Sequence, residues 1–505
     1  MERDGKLVSL WQNGMPAYTA KNNNLPGEVM DITIIGGGIT GLTTALLLQR
    51  SGKKCILVEN HTIGFGTTGG TTAHINSFFD TSYKQIEDKF GEESAKMVFQ
   101  AAGYAVQLIK DNIHSLNIEC QFEYRNAFLF SKNKKQTDEL EKIIEASMKA
   151  GLSISYTDKI PVNTHFEKAA IIPNQAQFHP VRYIYALAKK FEEEGGIILQ
   201  NCLMESFDDE VQLLVNTSKG TIQSRQMVLA THIPPGINLL HFRCAPYRSY
   251  VLAVHLKNNE YPESLVYDLD EPYHYYRSYE IENRKFLIFG GEDHKTGHNG
   301  NAMEHFAKLE NYLKNHFEIE SIPFKWSSQY YEPADGLPYI GKFPGHSENI
   351  FVATGFSGNG MTYSHVAAKE LTGLILTGES TYGKLFDPGR IKPVAGFANF
   401  VKENADVIKE FIAKRVSAEK VESFGEIPDG EGKIIKYEGD LIGFYKSTNG
   451  VVNAIDPVCT HARCIVQWNN AEHTWDCPCH GARYSTDGTV LTGPSSIKLD
   501  NINII

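Results

Sequence analysis

Two short pieces near the end of the chain, Cys459 to Cys464 (CTHARC) and Cys477 to Tyr484 (CPCHGARY), place thiols and imidazoles at metal-ligand spacing. Cys459-x-His461 and Cys477-x-x-His480 flank a 15-residue gap. Four such ligands suffice for a tetrahedral zinc site. Two facing Cys–His pairs also suit a [2Fe–2S] cluster, with two thiolates on one iron and two imidazoles on the other. A reducing cytosol favours metal ligation over a disulfide framework for clustered cysteines. The scattered Cys55, Cys120, Cys202 and Cys244 read as buried free thiols.

A second constellation stands at the other end. Residues 31–41 read DITIIGGGITG, so Gly36, Gly38 and Gly41 form G-x-G-x-x-G between an apolar, β-branched strand and a helix. The first glycine permits the tight turn, the second admits a pyrophosphate to the backbone, and the third lets helix and strand pack closely. Amide N–H groups at the helix start then face the phosphates. Glu59 ends the next strand, KCILVE, and its carboxylate suits a ribose 2′-hydroxyl. The spacing predicts dinucleotide binding without separating FAD from NAD.

Later pieces add to this. Val228 to Thr231 (VLAT), Asp335 to Gly341 (DGLPYIG) and Gly355 to Gly360 (GFSGNG) follow in that order. With them, residues 30–375 resemble the D-amino-acid-oxidase-like FAD oxidoreductases. The resemblance implies FAD, with Thr231, Asp335, Gly355, Gly358 and Gly360 among its contacts and the last glycines against the isoalloxazine ring. It implies oxidation of C–N bonds by hydride transfer to the flavin, which carries the hard chemistry. In the dimethylglycine dehydrogenase branch a Thr-x-His bonds covalently to flavin. His74, in GGTTAHIN, is expected near the dimethylbenzene edge without a covalent bond.

The tail, residues 421–505, resembles the Rieske family. This implies a [2Fe–2S] cluster on Cys459, His461, Cys477 and His480. It also implies a Cys464–Cys479 disulfide and a covering loop at Gly493-Pro494. In the respiratory group a serine and a tyrosine hydroxyl bond to cluster or cysteine sulfur. Here Tyr484 is kept and Ala482 stands at the serine position. A potential below that group is the expectation.

Substrate-side residues are harder to read. Arg248 in PYRSYV and Arg277 in YHYYRSY are candidates to clamp a substrate carboxylate, and structural ion pairs are the competing reading. Tyr275 and Tyr276 are candidates to pack a small amine or to be aromatic core. His365 reads as a helix-face residue.

These residues need a scaffold. The 505 residues leave room for several domains, and 42% hydrophobic with 22% charged residues is a globular composition. A net charge of -11 argues against nucleic-acid binding. The first residues lack an apolar signal core and no apolar run reaches bilayer length, so the expected compartment is the cytoplasm. The pattern predicts helices over 82–112, 133–150 and within RYIYALAKKFEEEGG, and a last strand–helix unit from NIFVATG. From about Val421 short strands and glycine or asparagine turns take over.

The expected architecture is an α/β FAD-binding domain of Rossmann, glutathione-reductase-like type with a mixed-sheet substrate domain, plus a small all-β Rieske domain. A lead-in covers 1–29 and the oxidoreductase 30–405. Its FAD part is 30–80, 170–235 and 330–375, and its substrate part 81–169 and 236–329. A linker helix over 406–420 precedes the Rieske domain at 421–505.

A flavin takes two electrons as hydride, and a Rieske cluster carries one at a time. The reading is oxidation of a small amine or amino acid, with electrons leaving through the cluster to a soluble one-electron acceptor. The rivals are a cluster-fed flavin reductase or monooxygenase, and a non-catalytic redox sensor or electron-transfer protein. An open carboxylate-binding pocket would favour the first reading and a blocked one the sensor.

Overall fold

The structure is a computed structural model that describes residues 3–298, 301–391, 419–420 and 427–503. The strand Met30–Ile35 is almost wholly buried and lies inside a parallel sheet. Cys55–Val58 and Gly220–Leu229 flank it in parallel, with Ile197–Leu199 and Ile350–Thr354 beyond them. Such two-sided burial suits the continuous β-branched run MDITII. The helices Ile39–Arg50 and Gly360–Thr377 pack together on this sheet. Both of the long-separated glycine motifs therefore start helices on the same side.

A second, nine-stranded sheet covers this unit. From the edge strand Ile319–Pro333 inward run Cys244–Leu256, Arg284–Lys295 and Tyr275–Ile281, all antiparallel. Leu265–Asp268 pairs in parallel with Glu123–Ser131, so the sheet is mixed as expected. Two expected boundaries move. Lys168–Gln177 and His74–Ile75 pair with each other in this second sheet, so residues near 74 and 170–177 leave the FAD part. The expected helix over 82–112 is two helices, Tyr83–Phe90 and Glu92–Leu116. Gly91 separates them at φ +91, which a continuing helix cannot use. Lys134–Ala150 and Pro180–Glu193 form where the apolar spacing places them.

The C-terminal part is two four-stranded sheets without a helix among its described residues. Apart from residues 419–420, the expected linker helix over 406–420 lies outside the described residues. Glu419–Lys420 is not helical. It pairs in parallel with Ile435 and Lys436, so the β unit begins before Val421. Among the described residues no helix is long and apolar enough to cross a membrane.

The N-terminal lead-in is a strap. Trp11 is fully buried and donates from its indole to Thr71 O at 2.5 Å. Arg3 and Asp4 are buried at the junction between the two halves of the molecule. Arg3 reaches Glu472 (3.2 Å) and Ser327 O (2.6 Å), and Asp4 pairs with Arg483 at 2.6 Å. Arg483 also holds Asp476 at 3.1 Å. Buried charges persist only when paired, and here Arg3–Glu472 and Asp4–Arg483 tie the β unit to the N-terminal strap.

Candidate functional site

The glycine turn opens one long cavity. Gly36 sits at φ +111, and a Cβ there would lie 2.4 Å from Ala230 O. A Cβ on Gly41 would meet Gly36 O at 1.9 Å, so helix and turn are packed as closely as the spacing implied. Glu59 Oε2 accepts from Gly37 N (2.7 Å) and Oε1 from His61 N (2.8 Å), which braces the turn. Gly36, Gly38, Glu59, Thr231, Gly358 and Gly360 all line the cavity. Its far end is walled by Ser249, Tyr275 and Tyr330 from the second sheet. A channel running from a glycine-rich turn and a strand-end acid to an aromatic sheet face fits an extended dinucleotide such as FAD.

The C-terminal loops form a second site. Cys464 and Cys479 are disulfide-bonded and fasten the two loops together. Cys459 and Cys477 are fully buried. Cys477 donates to Cys459, which holds the Cys459 thiol below its usual range and pushes Cys477 above it. Tyr484 Oη lies 3.2 Å from Cys459 Sγ, and Ala482 is buried beside it with no hydroxyl to offer. The rings of His461 and His480 are 5.0 Å apart. Burial pushes the His480 imidazole down to about 3 and His461 in the same direction, so both are neutral near pH 7. His461 Nε2 faces Gly236 O at 3.0 Å and must donate to it, which leaves the lone pair on Nδ1. Both Nδ1 atoms are buried without a partner. Two thiols and two orphaned imidazole nitrogens fit a [2Fe–2S] cluster.

The two sites touch. Tyr331, on the strand Ile319–Pro333, lines the cavity and donates from its hydroxyl to His480 O at 3.1 Å. Gln329, two residues earlier on the same face, lines the cavity and donates to Gly481 O at 2.9 Å. His232, also on the cavity wall, packs its ring edge-on to Tyr331 at 4.7 Å. The segment after Thr231 makes a second bridge, because Gly236 accepts from His461 and the His241 ring lies 4.5 Å from it. Residues 490–493, 495 and 496 of the β unit also line the cavity, near Cys202 and Met204.

Several sequence-based assignments are corrected. Arg248 does not reach the cavity: it is buried, donates to Ser327 Oγ at 2.8 Å and faces Asp476 at 3.8 Å. Arg277 is also buried, spends its guanidinium on Thr72 O (2.6 Å) and Ala73 O (2.8 Å), and lies over the Trp11 ring. Tyr276 points into the core on the other face of its strand, with its hydroxyl 3.1 Å from Tyr312. Strand alternation puts Tyr275, and not Tyr276, on the cavity. Asp335 is held bidentately by Arg390 at 2.8 and 2.7 Å. Gly355 is a left-handed turn residue at φ +75, set behind the cavity wall. His74 stands one layer back, its Nδ1 3.1 Å from Thr72 Oγ1 and its ring against Tyr275. His365 is buried in its helix and bonded to Tyr183 at 2.8 Å.

Gln329, Tyr331 and His232, which line the cavity, were missed, and no local pattern marks them.

Comparison with known proteins agrees with this geometry. A family model described as FAD dependent oxidoreductase matches residues 31–374. One described as Rieske [2Fe-2S] domain matches residues 418–503. A Bacillus subtilis protein named as a Rieske 2Fe-2S iron-sulfur protein is 35% identical over 477 residues, 94% of this chain and 93% of its own. The gamma-glutamylputrescine oxidoreductase of Escherichia coli is 22% identical over 68% of this chain and 83% of its own. Glycine oxidase from Geobacillus kaustophilus superposes with a TM-score of 0.58 at 17% identity, covering 72% of this chain and 99% of that one. At that identity the likeness concerns the fold.

Proposed function

Because the chain belongs to the FAD-dependent oxidoreductase family and carries a Rieske [2Fe–2S] domain, we propose that it oxidises a C–N bond of a small amine or amino acid and passes the electrons singly to an external acceptor. The groups the two sites hold supply hydride acceptance at the flavin and one-electron carriage at the cluster. The remaining work falls to the polypeptide. The glycine turn and Glu59 hold the dinucleotide, and the sheet face at Ser249, Tyr275 and Tyr330 shapes the substrate side. Cys459, Cys477, His461 and His480 hold the cluster, with both imidazoles kept neutral by burial.

One observation carries this reading. The strand Ile319–Pro333 presents Gln329 and Tyr331 to the cavity, and the same two side chains bond the backbone of His480 and Gly481. A cluster serving an unrelated partner has no need of this bond to the flavin wall. The test is anaerobic mixing with a panel of amines and amino acids. Flavin absorbance should bleach first and the electron paramagnetic resonance signal of the reduced cluster should follow. A bleached flavin beside a cluster that stays oxidised would contradict the reading.

A further inference from the structure

A dinucleotide seated with its pyrophosphate at Gly36 and Gly38 sends one half toward the sheet face at Ser249 and Tyr275 and the other toward Glu59. The half at Glu59 is the adenosine, because a strand-end carboxylate takes ribose hydroxyls. Backbone bonds fix which residues share that end. Cys202 N donates to Glu59 O at 2.9 Å and Asn201 N to His61 O at 2.8 Å, so Cys202 and Met204 stand beside Glu59 on the cavity wall. The β unit closes the same end. Ser496 Oγ donates to Glu205 O at 3.2 Å, and Val490, Leu491, Thr492 and Ser495 line the cavity with it.

The same stretch is fastened to the cluster loops. Val490 and Thr492 pair with Tyr484 and Arg483, on the strand that follows His480. Thr460, next to Cys459, donates to Ile497 O at 2.6 Å, and its hydroxyl lies 2.6 Å from Ser495 Oγ. Residues 490–497 are therefore anchored on the cluster side. On the cavity side they are not fully satisfied. Thr492 Oγ1 is shielded from solvent and has no partner among the described residues. A shielded hydroxyl costs free energy until something pairs it. Val490, Leu491 and Met204, on the same wall, supply apolar surface on which a flat purine can leave water.

We propose that the C-terminal β unit completes the FAD site: Leu491 packs on the adenosine half and Thr492 hydrogen-bonds it. One loop then serves the cluster on one side and the dinucleotide on the other. The flavin half owes nothing to this loop, and the assignment holds whichever substrate is oxidised. By linkage, bound FAD stabilises the docked β unit, because only the docked unit offers these contacts.

The test uses the full-length protein with its cluster in place. Flavin fluorescence reads the affinities for FAD and for FMN, which carries the flavin half without adenosine. The electron paramagnetic resonance spectrum of the reduced cluster reports an intact β unit. Thr492→Val keeps the shape and removes the hydroxyl. It should weaken FAD ~10-fold and leave FMN unchanged. Leu491→Asp sets a second carboxylate at the Glu59 end and should weaken FAD further, again sparing FMN. If Leu491→Asp loses the cluster spectrum, the comparison rests on Thr492→Val. FAD should also slow amide hydrogen exchange over residues 490–496, and FMN should not. An idle hydroxyl gives the opposite sign in Thr492→Val, FAD bound as tightly as in the parent or more so, since its removal lifts a cost. That result, equal losses for FAD and FMN, or exchange indifferent to FAD would each overturn the proposal.

Discussion

The Tyr331 hydroxyl donates to the carbonyl oxygen of His480 at 3.1 Å while its ring lines the flavin cavity. One side chain therefore touches both redox sites. Tyr331→Phe keeps the ring and removes the bond, leaving a buried carbonyl unpaired at a cost of about 1–3 kcal/mol. The expected result is unchanged flavin reduction by substrate and slower appearance of the reduced-cluster signal in rapid-freeze samples. Cluster reduction at the parental rate would assign Tyr331 to packing alone.

The cluster potential should follow the hydroxyl inventory around Cys459. Tyr484 is the donor in place, at 3.2 Å. Tyr484→Phe should lower the potential by about 60 mV, the one-electron equivalent of a hydrogen bond worth ~1.4 kcal/mol. Ala482→Ser should raise it, because each donor stabilises the more electron-rich state. Protein-film voltammetry reads both, and a potential indifferent to both substitutions would remove the hydrogen-bond account.

Acid should loosen the junction. Burial alone would raise the Asp4 carboxyl, but Arg483, Arg3 and Arg248 overcome it and hold it down to about 2. A carboxyl depressed in the folded state stabilises above its unfolded pKa near 4, and this is lost as pH falls through 2. The contribution is about 2 kcal/mol. Asp4→Asn should bring the loss to neutral pH, exposing the β unit to limited proteolysis. Identical digestion of variant and parent at pH 7 would show that the strap does not secure it.

What was legible in the sequence was local. Gly36, Gly38 and Gly41 act through spacing along a few residues, and so do Cys459, His461, Cys477 and His480. The fold brings each set together: Gly36 and Gly38 line the cavity with Gly41 packed against Gly36, and the two cysteine–histidine loops face each other. Arg248 and Arg277 looked like ligand clamps because their decisive partners are remote: Ser327 and Asp476 for one, Thr72, Ala73 and Trp11 for the other. Asp335 was taken by Arg390 in the same way. Gln329 and Tyr331 are ordinary strand residues whose importance comes only from the β unit docking on their face. No local pattern announces such a contact.

The central claim is that the cluster is the outlet for electrons taken at the flavin. Cys459→Ser removes one of the four proposed cluster ligands and lies outside the residues lining the flavin cavity. Stopped-flow reduction of its flavin by substrate should match the parent, while steady-state turnover with a one-electron acceptor collapses. Undiminished turnover in this cluster-free variant would contradict the account.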